Sequence, residues 1–346
     1  MRRSKLMVSA AVAVMAFGML TGCGKSDATT TQQTTQEITT AADTAVADTT
    51  AADAATDETA DDDENYDTGD ASLDKVRNED NIGDNELMVV SFGTSYNDNR
   101  RLTIGAIEQA LEDAYGDTYA IRRGFTSQII IDHVKKRDHV AIDNVTEALD
   151  RAIKNNVKNL VIQPTHLMNG LEYHDLEEEI AQNADAFEKV AIGKPLLTSD
   201  DDFKAVMEAI TKATKEYDDG ETAICFMGHG TEADSNEVYA KMQKMLTDAG
   251  YKNYFVGTVE ATPSLDDVLA QVKAGDYKKV VLEPLMIVAG DHANNDMAGD
   301  EDGSWKKTFE DAGYEVTCLV RGLGELEDIQ KLFVEHAKEA IDSMQK

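Results

Sequence analysis

Three short segments concentrate the residue types that bind metals and move protons: MGHGT at 227–231, GTVE at 257–260 and VAGDHANND at 288–296. Each sets one strong ligand just past an apolar run: His229, Glu260 and His292. Two imidazoles and one carboxylate suit a borderline divalent ion such as Co²⁺, Fe²⁺, Ni²⁺ or Zn²⁺, and they leave positions open for a substrate. A neutral imidazole, with an ordinary pKa near ~6.5, can both ligate a metal and accept a proton near neutral pH. His229 is therefore a catalytic candidate as well as a ligand. Glu260 adds negative charge that favours the cation and can relay a proton. His292 completes the set. Asp291 is placed either to orient an imidazole or to cap a turn. Gly228, Gly230 and Gly290 let a bulky, flat ligand approach the backbone. On these residues alone a metal site and a periplasmic-type binding protein both remain open, because a single His at a strand end is more often a hydrogen-bonded surface residue.

Beneath these side chains, residues 87–346 alternate strand-like runs with helical periodicity. Strands are expected at 87–91, 119–122, 160–163 and 190–192, then at 223–227, 254–257, 280–285 and 316–320. Helical patterns lie between them, at 103–114, from about 127, from about 173 and over 201–217. They recur at 235–249, 264–273, 301–312 and 325–343. Such alternation implies βαβ units and parallel sheets covered on both faces. The expected fold is α/β, with two similar lobes, 87–215 and 216–346, facing a cleft. SFGT at 91–94 matches GHGT at 228–231, and the interval from Pro164 to Gly170 matches that from Pro284 to Gly290. In such sheets ligands bind beyond the carboxyl ends of the strands. Cys225 and Cys318 both fall in strand patterns, which disfavours a disulfide between them. Without any CxxC pair, a thiolate zinc site is excluded.

The 346 residues carry a formal net charge of −33, which excludes a general nucleic-acid binder. Nearly half of that excess lies in residues 27–86, which hold 18 acids and two bases. Arg2, Arg3 and Lys5, then an apolar run from Leu6 to Leu20, read as a signal peptide over 1–22. Leu20-Thr21-Gly22-Cys23 resembles a bacterial lipobox, with Cys23 as the lipidated thiol. Residues 23–86, rich in Thr, Ala, Asp and Gln, are expected to be a lipid-anchored disordered linker, since they carry too little apolar surface to offset ordering entropy. The domain is thus expected to be exported and held at a membrane by its anchor.

The three ligand segments, read as MGHGT, GTVE and VAGDHANNDMAGD, resemble the anaerobic cobalt chelatase family, which acts on sirohydrochlorin. The resemblance continues through SFGTS at 91–95, RRGFTS at 122–127, QPTHLMNGLEY at 163–173, SWK at 304–306 and GLGE at 322–325. It is collinear over about 87–343. It implies a class II chelatase of two flavodoxin-like halves that needs no nucleotide, with His229, Glu260 and His292 as the metal set. The implied activity is that of a sirohydrochlorin cobaltochelatase, inserting Co²⁺ as substrate metal with loss of two protons; Fe²⁺ or Ni²⁺ are alternatives. The loop Ser91, Phe92, Gly93 and Thr94, together with His166, is expected to line the wall opposite the metal set and to meet the tetrapyrrole. Arg122 and Arg123 are the first candidates to offset an acidic field that would repel a polycarboxylate, followed by Arg321 and Lys306. Glu172 falls near the position of His292 in the repeat and reads as a cleft residue rather than a ligand. Ala261-Thr262-Pro263 departs from the Gly-Tyr-Pro common in the family. Corrinoid synthesis belongs in the cytoplasm, so a second reading stands beside the first: an exported metal- or tetrapyrrole-binding lipoprotein without turnover. A homo-oligomer is compatible with either.

Overall fold

The computed structural model describes residues 68–345. The expected signal peptide, Cys23 and the linker as far as residue 67 lie outside the described residues. The first half runs β1 (Asn85–Ser91), α1 (Asn97–Leu102), α2 (Ile104–Tyr115), β2 (Ala120–Phe125), α3 (Gln128–Asp138), α4 (Val145–Lys154), β3 (Asn159–Pro164), α5 (Leu171–Asn183), β4 (Lys189–Ile192) and α6 (Asp200–Ala213). The second half runs β5 (Thr222–Gly228), α7 (Glu237–Asp248), β6 (Tyr254–Thr258), α8 (Leu265–Ala274), β7 (Lys279–Pro284), α9 (Trp305–Asp311), β8 (Glu315–Cys318) and α10 (Glu327–Ser343). Two four-stranded parallel sheets result, ordered β2-β1-β3-β4 and β6-β5-β7-β8. Both follow the flavodoxin-like order, with its reversal beside the first strand. This is the α/β architecture of two similar lobes that the alternating pattern implies.

Period-two alternation decides which core each strand residue joins. Leu87 and Val89 point to a core shared by both lobes, and Met88 and Val90 to an outer cluster beneath α4 and α5. In β5, Ile224 and Phe226 face the shared core, while Ala223, Cys225 and Met227 face α8 and α9. Helices α6 and α10 close that shared core through Phe203, Val206 and Ile210, and through Ile329, Phe333 and Ala337. The lobes are welded rather than merely adjacent: α10 packs on α2 and on β3 and β4 of the first sheet, and α6 packs on α7 and α10. Sequence-local signals start several helices. Asn144 with Glu147, Ser199 with Asp202, and Ser264 with Asp267 form capping boxes at α4, α6 and α8, satisfying amide donors that would otherwise be unpaired.

Two expectations are corrected. The linker does not extend to residue 86, because the chain is packed from Thr68 onward, with Thr68, Asp74 and Arg77 buried. Strand β2 runs on to Phe125, three residues past the expected end, so Arg122 and Arg123 sit inside the strand, opposite Met88 and Val89 of β1. Cys225 and Cys318 are free thiols.

Candidate metal centre

Strands β5, β6 and β7 deliver the three ligands to one edge. Glu260 N donates to His229 O at 2.9 Å and Val259 N donates to Gly228 O at 3.0 Å, zipping the two loops together beyond the last ladder rung. Gly230 makes the turn with φ +92°, and a Cβ there would lie 2.8 Å from Ala261 N. A side chain at residue 230 would therefore push the His229 and Glu260 loops apart. The Tyr239 hydroxyl, buried against β5, accepts from Gly230 N at 3.3 Å. His292 opens a short π-helical turn, Ala293–Met297, that follows β7.

The ligand atoms of His229, Glu260 and His292 all lie within 4.8 Å of one another. The two imidazoles meet edge to face, with ring centroids 4.8 Å apart. Nδ1 of His229 lies 2.8 Å from Gly230 O. A carbonyl can only accept, so that nitrogen carries the proton and Nε2 keeps its lone pair for a metal. Nδ1 of His292 lies 2.7 Å from Oδ2 of Asp296, which sets the same tautomer. The hydrogen bond to Asp296 raises the His292 pKa above its ordinane value, against the opposing effect of burial. Asp296 thus takes the orienting role that the sequence offers to Asp291; Asp291 instead accepts from Asn295 at 2.5 Å. The signal for Asp296 is its i, i+4 spacing from His292 on one helical turn. The three residues are part-exposed, with side-chain exposures of 44% and 27% for His229 and Glu260 and 24% for His292, so a ligand from outside can reach them.

The first lobe's loops stand beside this edge. A Cβ on Gly290 would lie 3.3 Å from Thr94 Oγ1, and one on Gly170 would lie 3.4 Å from Ser235 Oγ. Within the Ser91–Thr94 loop the roles divide. Ser91 and Thr94 are buried, and Ser91 accepts a 2.7 Å hydrogen bond from the Thr165 hydroxyl. Gly93 has φ +106° and its Cα faces the Phe125 ring. Phe92 is the side chain of this loop that stands out to solvent. His166 is 8% exposed; its Nε2 lies 3.4 Å from Glu172 Oε2, and neither ring nitrogen has a hydrogen-bond partner.

Arg122 and Arg123 are corrected as substrate contacts. Arg123 is fully enclosed, bound by Asp74 and Glu108, and Arg122 is buried beside Glu86. Both lie in mid-strand rather than at the carboxyl edge. Arg321 is held by Glu283 at 2.6 Å and by Ala213 O at 3.0 Å, and Lys306 by Asp300 at 2.5 Å.

Known proteins resemble this chain over its two-lobed region. The cobalt chelatase (CbiK) family matches residues 85–342. A sirohydrochlorin cobaltochelatase of Salmonella typhimurium is 36% identical over 256 residues, spanning 74% of this chain and 96% of that protein. The sirohydrochlorin cobaltochelatase CbiKC of Nitratidesulfovibrio vulgaris is 26% identical over 263 residues, spanning 75% of this chain and 91% of its own. In fold, the chain is similar to SirB from Bacillus subtilis, solved with Fe³⁺, at a TM-score of 0.55 and 14% identity over 76% of this chain and 98% of that one. With nearly the whole two-lobed region matched from its first strand to its last helix, the chain belongs to the cobalt chelatase family.

Proposed function

We propose that this protein is a sirohydrochlorin cobaltochelatase, an enzyme that inserts Co²⁺ into the tetrapyrrole and releases two protons. The observation that carries the reading is the cluster of His229, Glu260 and His292, with ligand atoms within 4.8 Å at the carboxyl edge of the second sheet. Family membership and the two sirohydrochlorin cobaltochelatase relatives supply the substrate and favour cobalt. Fe²⁺ and Ni²⁺ suit the same donors.

The geometry gives each residue a task. Nε2 of both histidines and the Glu260 carboxylate hold the incoming cation. As Co²⁺ passes to the ring nitrogens, the lone pair on His229 Nε2 is freed beside the macrocycle, and the Glu260 carboxylate is freed with it. Each then takes one pyrrole proton, so two protons leave the ring as one dication enters and the charge balances. Gly230 O and Asp296 keep both imidazoles turned with Nε2 outward throughout. Phe92 offers an exposed ring beside this edge for the flat ligand.

The decisive measurement is product formed per protein molecule under excess sirohydrochlorin and metal, without oxygen. Many turnovers with cobalt are expected. His229→Ala should lower the rate by about 10²–10⁴-fold as the loss of a positioned base, while tetrapyrrole binding persists. Arrest at one equivalent with cobalt, iron and nickel alike would replace the enzyme with a carrier. The location of the domain is part of the proposal: a signal peptide, lipidation at Cys23 and attachment to the outer face of the membrane. The supporting observations are the basic start, the apolar run and the Leu-Thr-Gly-Cys sequence. Among the described residues no helix is long and apolar enough to cross a membrane.

A further inference from the structure

The family match begins at residue 85, yet seventeen residues before it the chain is already bound to the first lobe. Thr68 O accepts from Asp98 N at 2.7 Å, and Gly69 O accepts from Asn97 Nδ2 at 3.2 Å. Both partners belong to α1. Asp74, with 4% side-chain exposure, accepts from Arg100 Nε at 2.7 Å and from Arg123 Nη1 and Nη2 at 2.7 and 3.0 Å. The Arg100 side chain is completely buried, and Asp74 is the carboxylate it pairs with. Its other two nitrogens donate to Thr94 O at 3.1 Å and to Asn97 Oδ1 at 2.5 Å. Arg100 therefore joins the segment before β1 to the loop after β1.

The same short helix touches the metal loop. Asn99 Oδ1 accepts from Ala289 N at 2.8 Å, three residues before His292. Thr94 stands beside Gly290 of the same loop, where a Cβ would lie 3.3 Å from its Oγ1. Helix α1 has six residues and no side-chain cap at its start. A helix that short has little stability of its own, so its position depends on what holds it from outside. A buried guanidinium without its carboxylate would turn toward other acceptors or toward water, taking α1 with it.

We propose that Asp74, on the segment preceding the family's domain, is a positioning residue for the metal centre. Through Arg100 it fixes α1 and Thr94, and through Asn99 helix α1 fixes the loop that presents His292. The stretch Thr68–Asp74 is thus a strap that completes the site from outside the two-lobed repeat. The inference rests on the reading of His229, Glu260 and His292 as the metal set.

The test is a double-mutant cycle in the full chain. Asp74→Asn, Asn99→Ala and the double variant are titrated with Co²⁺ alone, followed by the cobalt absorption bands, and their thermal midpoints are recorded in parallel. Each single variant is expected to weaken cobalt binding by about 3- to 30-fold. The double variant should weaken cobalt binding by clearly less than the product of the two single factors, because both cuts loosen the same helix and the same loop. A purely structural Asp74 would leave cobalt affinity within about twofold of the unmutated protein, or would give factors that multiply in the double variant, and either result overturns the proposal. If Asp74→Asn does not fold, Asp74→Glu, which keeps the charge and displaces it by one methylene, enters the same cycle under the same criteria. An unmutated protein that binds no cobalt would overturn the metal reading itself, an outcome distinct from a variant that binds as well as the parent.

Discussion

At the scale of single residues, the metal centre is a problem of tautomers. Two histidines can serve one cation only if each turns a lone pair inward, and each needs an acceptor on its other nitrogen. Gly230 O does this for His229 and the Asp296 carboxylate for His292. The carboxylate also stabilises the imidazolium, so the His292 pKa lies above its ordinary value. Protons then compete with cobalt from higher pH than for a free imidazole. Cobalt affinity should fall as pH drops through a midpoint on the alkaline side of about 6.5. Asp296→Asn keeps an acceptor but removes the charge. It should move that midpoint to lower pH and, above it, weaken binding by on the order of 10–100-fold. Cobalt titrations at a series of pH values check both; identical midpoints and affinities would show that Asp296 does not act on His292. That His229, Glu260 and His292 meet at one edge is legible in the sequence, because each follows an apolar strand. Asp296 is marked only by its i, i+4 spacing from His292, a signal that counts once a helical turn is known there, and that turn is too short for periodicity to reveal.

At the scale of elements, β1 carries an anomaly that its pattern conceals. Glu86 is 2% exposed in β1, directly before the buried run Leu87–Val90, and one of its oxygens has no partner. Burial pushes its pKa from 4.5 to about 8, with Arg122 only partly offsetting it. The folded state therefore holds a proton that the unfolded chain releases above pH 4.5. Stability from this group is complete below pH 4.5 and is lost progressively as pH rises to about 8. Glu86→Gln should flatten that slope and add on the order of 1–3 kcal/mol near pH 7, at about 1.36 kcal/mol per pKa unit. Urea unfolding at pH 5 and pH 7.5 measures it, and a larger loss at pH 7.5 in the variant would contradict the assignment. Strands such as β1, β3, β5 and β7 are readable because an apolar run between helical patterns is long enough for a buried strand and too short for a helix. The helices α1 and α4 are not readable in this way. Helix α1 reads Asn-Asp-Asn-Arg-Arg-Leu and has no apolar stripe; it is held from outside, by the pair Arg100–Asp74 and by the hydrogen bond from Ala289 N to Asn99. Helix α4 has an apolar face, Val145, Ala148, Leu149 and Ala152, and is obscured by its closeness to α3. Ending β2 at Arg122 makes two strand arginines look like loop residues; the acids that enclose Arg123, Asp74 and Glu108, are distant in sequence and leave no mark on the local pattern.

At the scale of the whole molecule, two lobes share one core, and residues 68–84, ahead of β1, belong to that body. The part proposed as a tether lies upstream of it. Cys23→Ser should release the protein from membranes if attachment depends on a lipid at that thiol; protein that stays in the membrane fraction would point to an anchoring helix instead. The position at which the tether can be cut is a sharper question. Composition alone places the boundary near residue 86, since acids and small polar residues continue to that point. Burial places it before Thr68. Between the two, Asp74 binds Arg100 and Arg123, Arg77 binds Glu108 and Glu112, and Lys75 binds Glu112. Exposed pairs such as Lys75–Glu112 contribute little. The pairs made by Asp74 are enclosed, and removing one partner of an enclosed pair costs about 3–5 kcal/mol, because the charge left behind has no water to turn to. A chain beginning at residue 68 should therefore unfold at the same urea concentration as one beginning at residue 24. A chain beginning at residue 85, although it holds every residue of the family match, should lose about 3–5 kcal/mol, a large part of the stability of an ordinary domain. Equal midpoints for the chains from 68 and 85 would mean that Arg100 and Arg123 find other partners once Asp74 is gone, and that the body of the protein begins at β1.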